Sequence, residues 1–105
     1  VPQPDIVWLT LDDYATRRPG PADALLVIEV SDSSLAYDQG EKSSLYALAG
    51  IKDYWIVNIP DRCVEVRRQA KDDTYQDVRT YHEHEVIVPL LLPSVKFPVA
   101  IVLGE

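Results

Sequence analysis

The chain has a single cysteine, Cys63, among 105 residues. Disulfides therefore cannot staple the fold, and a reducing, cytoplasmic setting is the natural expectation. No stretch approaches the roughly 20 consecutive apolar residues that a membrane helix needs. Val86 to Leu92 and Val95 to Leu103 are apolar, but Pro89, Pro93 and Pro98 break them up. No signal peptide opens the chain, and no membrane partner is expected. The first residue is Val1 rather than an initiator methionine, which points to a fragment or a processed form. The four glycines are scattered, which excludes a phosphate-cradling glycine loop. Basic residues are outnumbered: 10 Lys and Arg stand against 17 Asp and Glu, for a net charge of −7. That argues against a broad basic surface for nucleic acid, whose backbone is bound through Lys and Arg. It leaves open a site that holds divalent cations, because such a site is itself acidic and the metal supplies positive charge.

What is present is the makeup of one small globular domain, 47% apolar and 26% charged. Ile6-Val7-Trp8-Leu9 reads as a short strand. A polar loop follows from Thr10 to Asp23, with room for one turn near Asp12 to Thr16. Its Arg18-Pro19-Gly20-Pro21 segment fits neither helix nor central strand. Ala24 to Ser31 is a second strand. Asp38-x-x-Glu41 resembles a capping box, predicting a helix over 38–50 with Gly50 as the left-handed residue past its end. Leu45, Leu48 and Ala49 would form that helix's apolar face. Asp53 to Ile59 is a third strand, so strand, helix and strand form a βαβ unit. Pro60-Asp61 and Lys71-Asp72-Asp73 then turn the chain through two hairpins, into Cys63 to Arg67 and Thr74 to Tyr81. The tail is β-like, with its prolines confined to edges and loops. The fold class is α/β: a mixed central sheet, one main helix and an antiparallel hairpin extension.

One residue stands out. Glu29 interrupts the apolar run Ala24-Leu25-Leu26-Val27-Ile28-Glu29-Val30. A carboxylate in a buried strand costs several kcal/mol unless a cation or metal compensates it. Lys42, thirteen residues later on the helix, is the next cation along the chain and the candidate partner. Asp38 lies four residues before Lys42 and favours an ion pair with it. Asp5 opens the first strand. If the first two strands are neighbours, Asp5 and Glu29 converge at one sheet end. Two carboxylates with waters and a substrate phosphate make a Mg²⁺ site, and the Val30 backbone carbonyl is a further candidate ligand. Lys42 would orient an attacking water or stabilise developing charge. The competing reading is a purely structural Glu29–Lys42 ion pair with Asp5 as an ordinary turn residue.

The string Pro4-Asp5, then Asp23 to Ser34 with Glu29-Val30 inside it, then Asp38, Lys42, Tyr46, Gly50 and Tyr54-Trp55-Ile56-Val57, closely resembles the Uma-two family. Its members are described as restriction endonucleases of the PD-(D/E)XK nuclease superfamily. The resemblance runs from Pro4 to the apolar tail. It implies a restriction-endonuclease-like fold and Mg²⁺-dependent (or Mn²⁺-dependent) hydrolysis of phosphodiester bonds in DNA. Asp5 and Glu29 take the places of the two metal-binding acids. The superfamily's usual pattern puts its lysine two residues after the second acid, where this chain has Ser31. The resemblance implies that Lys42 on the helix fills that role. Family members also carry an N-terminal helix and a further acid, so residues 1–105 are expected to be one domain lacking an N-terminal portion. Restriction-type nucleases often work as dimers to cut two strands, which makes a homodimer a candidate assembly, although nothing in the sequence marks an interface.

Other residues carry weaker signals. Tyr46 is an assisting candidate, for ordering water or phosphate, against plain packing on the sheet. Asp23 is expected to position the Arg17–Pro21 loop. Asp38 reads as a helix cap. Arg17-Arg18 and Arg67-Arg68 read as solvated charges rather than phosphate contacts. His82 and His84 share a strand face beside Glu83 and Glu85, but lack a third ligand and read as a solvated turn. Trp8 and Trp55 read as core aromatics, and Cys63 lacks the partners of a thiol nucleophile. The leading reading is a metal-dependent endonuclease acting on DNA. The alternative is a non-catalytic, inactivated or truncated interaction module on the same scaffold. A phosphoesterase acting on small molecules stands third.

Overall fold

A computed structural model describes residues 5–9, 17–18 and 20–104. Pro4 and the turn expected near Asp12 to Thr16 lie outside the described residues.

The core element is β3 (Asp53–Asn58), six residues that are all buried. Its Tyr, Trp, Ile and Val side chains suit a strand covered on both faces. On one side it pairs in parallel with β2 (Ala24–Ser31), Glu29 standing opposite Ile56. On the other it pairs antiparallel with β4 (Cys63–Lys71), which continues antiparallel into β5 (Thr74–His82). The short β1 (Ile6–Leu9) lies antiparallel on the outer side of β2, with Ile6 opposite Ile28. The order β1-β2-β3-β4-β5 makes a five-stranded mixed sheet. A parallel pair requires a crossover, and a bent helix supplies it: α1 (Leu35–Gln39) and α2 (Glu41–Leu48). The βαβ unit and both hairpins expected from the sequence are present.

Alternation along the strands divides the core. One face carries Leu26, Ile28, Trp55, Val57, Val64 and Val66, packed with Ile87 and Val99. The tail covers it: β6 (Val86–Ile87), β7 (Phe97–Pro98) and the one-turn α3 (Val99–Val102). Phe97 packs at a tilt against Trp8 and meets Trp55 edge-on, with centroids 5.2 and 5.6 Å apart. Both tryptophans are core aromatics, as expected; the helical turn α3 was not. The other face carries Val27, Tyr54 and Ile56 under Tyr46, Ala47, Ile51 and Tyr75.

The helix differs from expectation in two ways. First, it starts at Leu35, with Ser34 before it, and Asp38 lies inside α1, so Asp38-x-x-Glu41 is not a capping box. The helix bends at Gly40, where a Cβ would sit 3.1 Å from the carbonyl oxygen of Ala36. Second, Leu45 and Leu48 are 45% and 65% exposed, and Ala49 is exposed too. The buried α2 residues are Ser43, Tyr46 and Ala47. The reason lies in the sheet beneath, which offers Glu29, Ser31, Glu65 and Arg67 among its apolar residues. The helix turns its mixed stripe of Ser43, Tyr46 and Ala47 onto that mixed face. Gly50 ends the helix with φ of 80°, as its type predicts.

Candidate active site

The antiparallel β1–β2 register brings Asp5, one residue before β1, beside the end of β2. The Asp5 N–H donates to Glu29 Oε1 at 3.1 Å. In return, the Val30 N–H donates to Asp5 Oδ2 at 2.7 Å. Glu29 is 1% exposed, whereas Asp5 and Val30 are exposed. Glu29 shares its face with Val27 and Ser31 and points under the helix.

There Lys42 donates to Glu29 Oε2. Its ammonium also lies 3.4 Å from Asp38 Oδ1 and 5.6 Å from the centre of the Tyr37 ring. Burial alone would lower the Lys42 pKa. The hydrogen bond and charge of Glu29, then the charge of Asp38, outweigh it and raise the pKa above its ordinary value. Lys42 is therefore a fully charged donor near neutrality. Tyr46, one turn further along the helix, offers its hydroxyl to Glu29 Oε1 at 3.4 Å. Burial, then the Glu29 charge, pushes its phenol up, so it stays a neutral donor. Its ring packs on Tyr54 at 4.9 Å. Tyr46 thus both packs on the sheet and reaches the carboxylate.

Asp38 is the residue that sequence reasoning undervalued. It is 1% exposed. Its Oδ2 accepts hydrogen bonds from Ser31 Oγ and, at 3.0 Å, from Ser34 Oγ. The Tyr54 hydroxyl donates to its backbone carbonyl at 2.8 Å. Among the described residues its Oδ1 is buried without a hydrogen-bond partner. The Lys42 contact at that oxygen is charge proximity rather than a formed hydrogen bond. The i, i+4 spacing to Lys42 was the available signal. Ser34 is also four residues from Asp38, whereas Ser31, seven residues back on β2, reaches it only through the fold.

The polar layer continues across the sheet. Glu65 stands opposite Ile56, in the same row as Glu29. It accepts from Gln39 and, at 2.8 Å, from Arg67. Arg67 also donates to the Gln39 carbonyl at 3.2 Å and to Ser43 Oγ at 3.1 Å. Arg68 points to the opposite face and pairs with buried Asp53 at 2.9 Å. The Arg67-Arg68 pair is therefore neither a phosphate patch nor a set of solvated charges: each guanidinium is committed to a buried carboxylate.

Arg17 pairs with Asp23 at 2.9 Å, and the Gly20 N–H donates to Asp23 at 2.7 Å. Asp23 thus positions its loop as expected. His82 and His84 are exposed, and Glu83 is committed to Arg62 at 2.7 Å. Burial, then Asp61 and Glu65, push the Cys63 thiol up, away from nucleophilic use.

Among the described residues, no group of three or more His, Cys, Asp or Glu side chains is arranged to hold a metal. Asp5 and Glu29 do meet, through the Asp5 N–H on Glu29 and the Val30 N–H on Asp5, and both side chains offer hard oxygen donors. That set fits a cation such as Mg²⁺, which keeps several waters and uses one or two carboxylates with substrate phosphate. It does not suit a metal that needs a complete protein cage.

A five-stranded mixed sheet, one bent helix across it and a small antiparallel sheet form a restriction-endonuclease-like fold. The family model Uma2, described as "Putative restriction endonuclease", matches residues 1–100. The chain belongs to that family. No curated protein matches it. No helix among the described residues is long and apolar enough to cross a membrane.

Proposed function

We propose that this chain is a metal-dependent endonuclease domain that hydrolyses phosphodiester bonds in DNA. The observation that carries the reading is the meeting of Asp5, Glu29 and Lys42, from three separate elements, at one sheet end. Membership of a family described as restriction endonucleases supports DNA as the substrate. Asp5 and Glu29 would hold Mg²⁺ or Mn²⁺, with the Val30 carbonyl as a further ligand. The bound cation would supply Lewis-acid stabilisation of the phosphate.

The protein's own groups then have defined parts. Hydrolysis joins a water oxygen to phosphorus and breaks one ester P–O bond, and negative charge grows on the phosphate oxygens. Lys42 is charged at working pH and acts as a donor to that charge, not as a general base. Tyr46 keeps Glu29 oriented by donating to Oε1. Asp5, exposed at the strand start, faces the side from which a substrate arrives. Cutting both strands of a duplex would take two such sites, as in a homodimer. A reducing, cytoplasmic setting suits the buried free thiol of Cys63.

A second reading is a non-catalytic interaction module on the same scaffold. It is favoured by the commitment of Arg67 and Arg68 to internal carboxylates on a chain of net charge −7, which weakens any DNA-binding surface. Plasmid DNA incubated with the protein and Mg²⁺ separates the two. Nicking by the wild type, lost in Glu29→Gln and Lys42→Ala, is the expected result. Equal inertness of all three proteins overturns the nuclease reading.

A further inference from the structure

We propose that Asp38 is the positioning residue for Lys42, a fixed second anchor that retains the ammonium when Glu29 is drawn to a cation. The idea starts from a conflict within the cluster. Glu29 Oε2 holds Lys42, and Glu29 Oε1 already takes the Asp5 N–H and the Tyr46 hydroxyl. A cation that engages Glu29 competes with these donors and repels the ammonium, and Lys42 is the partner with the longest, most mobile side chain. Without another anchor the ammonium would leave the site just when a substrate needs it.

Asp38 has the properties such an anchor requires. It is almost fully buried, so water competes poorly for it. It is immobilised on three sides, by Ser31 Oγ from β2, Ser34 Oγ from the start of the helix, and Tyr54 through the backbone carbonyl. All of these bonds use Oδ2 or the backbone. Oδ1 is left without a hydrogen bond, 3.4 Å from the ammonium. A buried carboxylate oxygen left open toward a lysine is an acceptor in waiting: a small shift of Nζ away from Glu29 completes the bond. The Gly40 bend separates the turn bearing Asp38 from the turn bearing Lys42, so the first is tied to serines while the second reaches over Glu29.

The use of this anchor in catalysis rests on the nuclease reading, but the anchoring itself can be tested without metal or DNA. In Glu29→Gln the strand carboxylate is neutralised, and Lys42 depends on Asp38. The probe is solvent exchange of the Lys42 ammonium protons, followed by ¹⁵N NMR on the full chain. Exchange should stay slow in Glu29→Gln. It should quicken about tenfold or more in Glu29→Gln/Asp38→Asn, as loss of a charge-assisted hydrogen bond implies. Equal exchange in the single and double variants overturns the proposal. So does fast exchange in Glu29→Gln alone. Should the double variant fail to fold, Glu29→Gln/Ser34→Ala decides, because it loosens Asp38 without removing its charge. Faster exchange than in Glu29→Gln supports the proposal, and no change overturns it. Inert wild-type protein in the plasmid assay would sink the nuclease reading and leave this comparison intact.

Discussion

Asp5 and Glu29 are joined reciprocally across β1 and β2: the Asp5 N–H donates to Glu29 Oε1, and the Asp5 carboxylate accepts from the N–H of Val30. Side chain and backbone exchange roles between the two neighbouring chain segments. The carboxylate of Asp5 therefore has a structural duty that its charge is not needed for.

That separation gives the first prediction. Asp5→Asn keeps an acceptor for Val30, so its melting temperature should stay close to wild type. Asp5→Ala should lose about 1 kcal/mol, the net worth of one hydrogen bond. Calorimetric titration with Mg²⁺ or Mn²⁺ should show binding abolished by both variants. Unchanged binding in Asp5→Asn would remove Asp5 from the metal assignment.

The Glu29–Lys42 pair should respond asymmetrically. Lys42→Ala leaves a carboxylate that is 1% exposed with no cation, and should cost about 3 kcal/mol. Glu29→Gln leaves an ammonium that still faces Asp38 and partly reaches solvent, so it should cost less. Urea denaturation of both variants measures the order. A reversed order would mean that Glu29 tolerates isolation better than its burial allows.

Alkaline pH offers a third check. The folded pKa of Lys42 lies above its ordinary value of 10.5. Its contribution to stability is thus complete below that ordinary value and is lost as pH rises through the folded one. Thermal melts of wild type and Lys42→Met should differ by a constant amount near neutrality. The difference should shrink in the alkaline range above 10.5. A gap that persists there would assign the Lys42 effect to packing instead.

A fourth prediction concerns the opposite face. Asp53 is fully buried and accepts from Trp55 Nε1 at 2.8 Å, Arg68 Nε at 2.9 Å and the Leu90 N–H at 2.8 Å. Arg68 in turn donates to the Val88 carbonyl at 2.7 Å. Arg68→Ala should destabilise by about 3 kcal/mol through the stranded carboxylate. It should also speed hydrogen exchange of the Leu90 amide more than that of amides in β3. Equal protection at both places would show that the tail does not depend on Arg68.

Much of this arrangement was legible in the residues themselves. The apolar run around Glu29 marked a buried strand, Gly50 marked the helix end, and the turn residues at Pro60-Asp61 and Asp72-Asp73 marked both hairpins. The Asp38–Lys42 spacing foretold their proximity. The orientation of the helix was not legible, because Leu45 and Leu48 form a plausible apolar stripe and nothing local announces that Glu65 and Arg67 join Glu29 on the face below. Glu65 and Arg67 lie far along the chain from Glu29, and only strand register places them in one layer. Arg67-Arg68 looked like surface charge for the same reason. Adjacent residues on a strand face opposite ways, and each found a buried acid that sequence order hides. The role of Asp38 needed Ser31 and Ser34, which read alone as loop hydrogen-bonders.

The place of the lysine has a further consequence. A lysine two residues from its acid on one strand would stay with it through any loosening of the helix. Here Lys42 and Asp38 ride on the crossover, whereas Asp5 and Glu29 ride on the sheet. Undocking of the crossover therefore parts the ammonium from Glu29 and leaves Asp5 and Glu29 without it. Assembly of the cluster and seating of the helix are one cooperative event, so whatever steadies the helix from outside also sets how often the cluster exists.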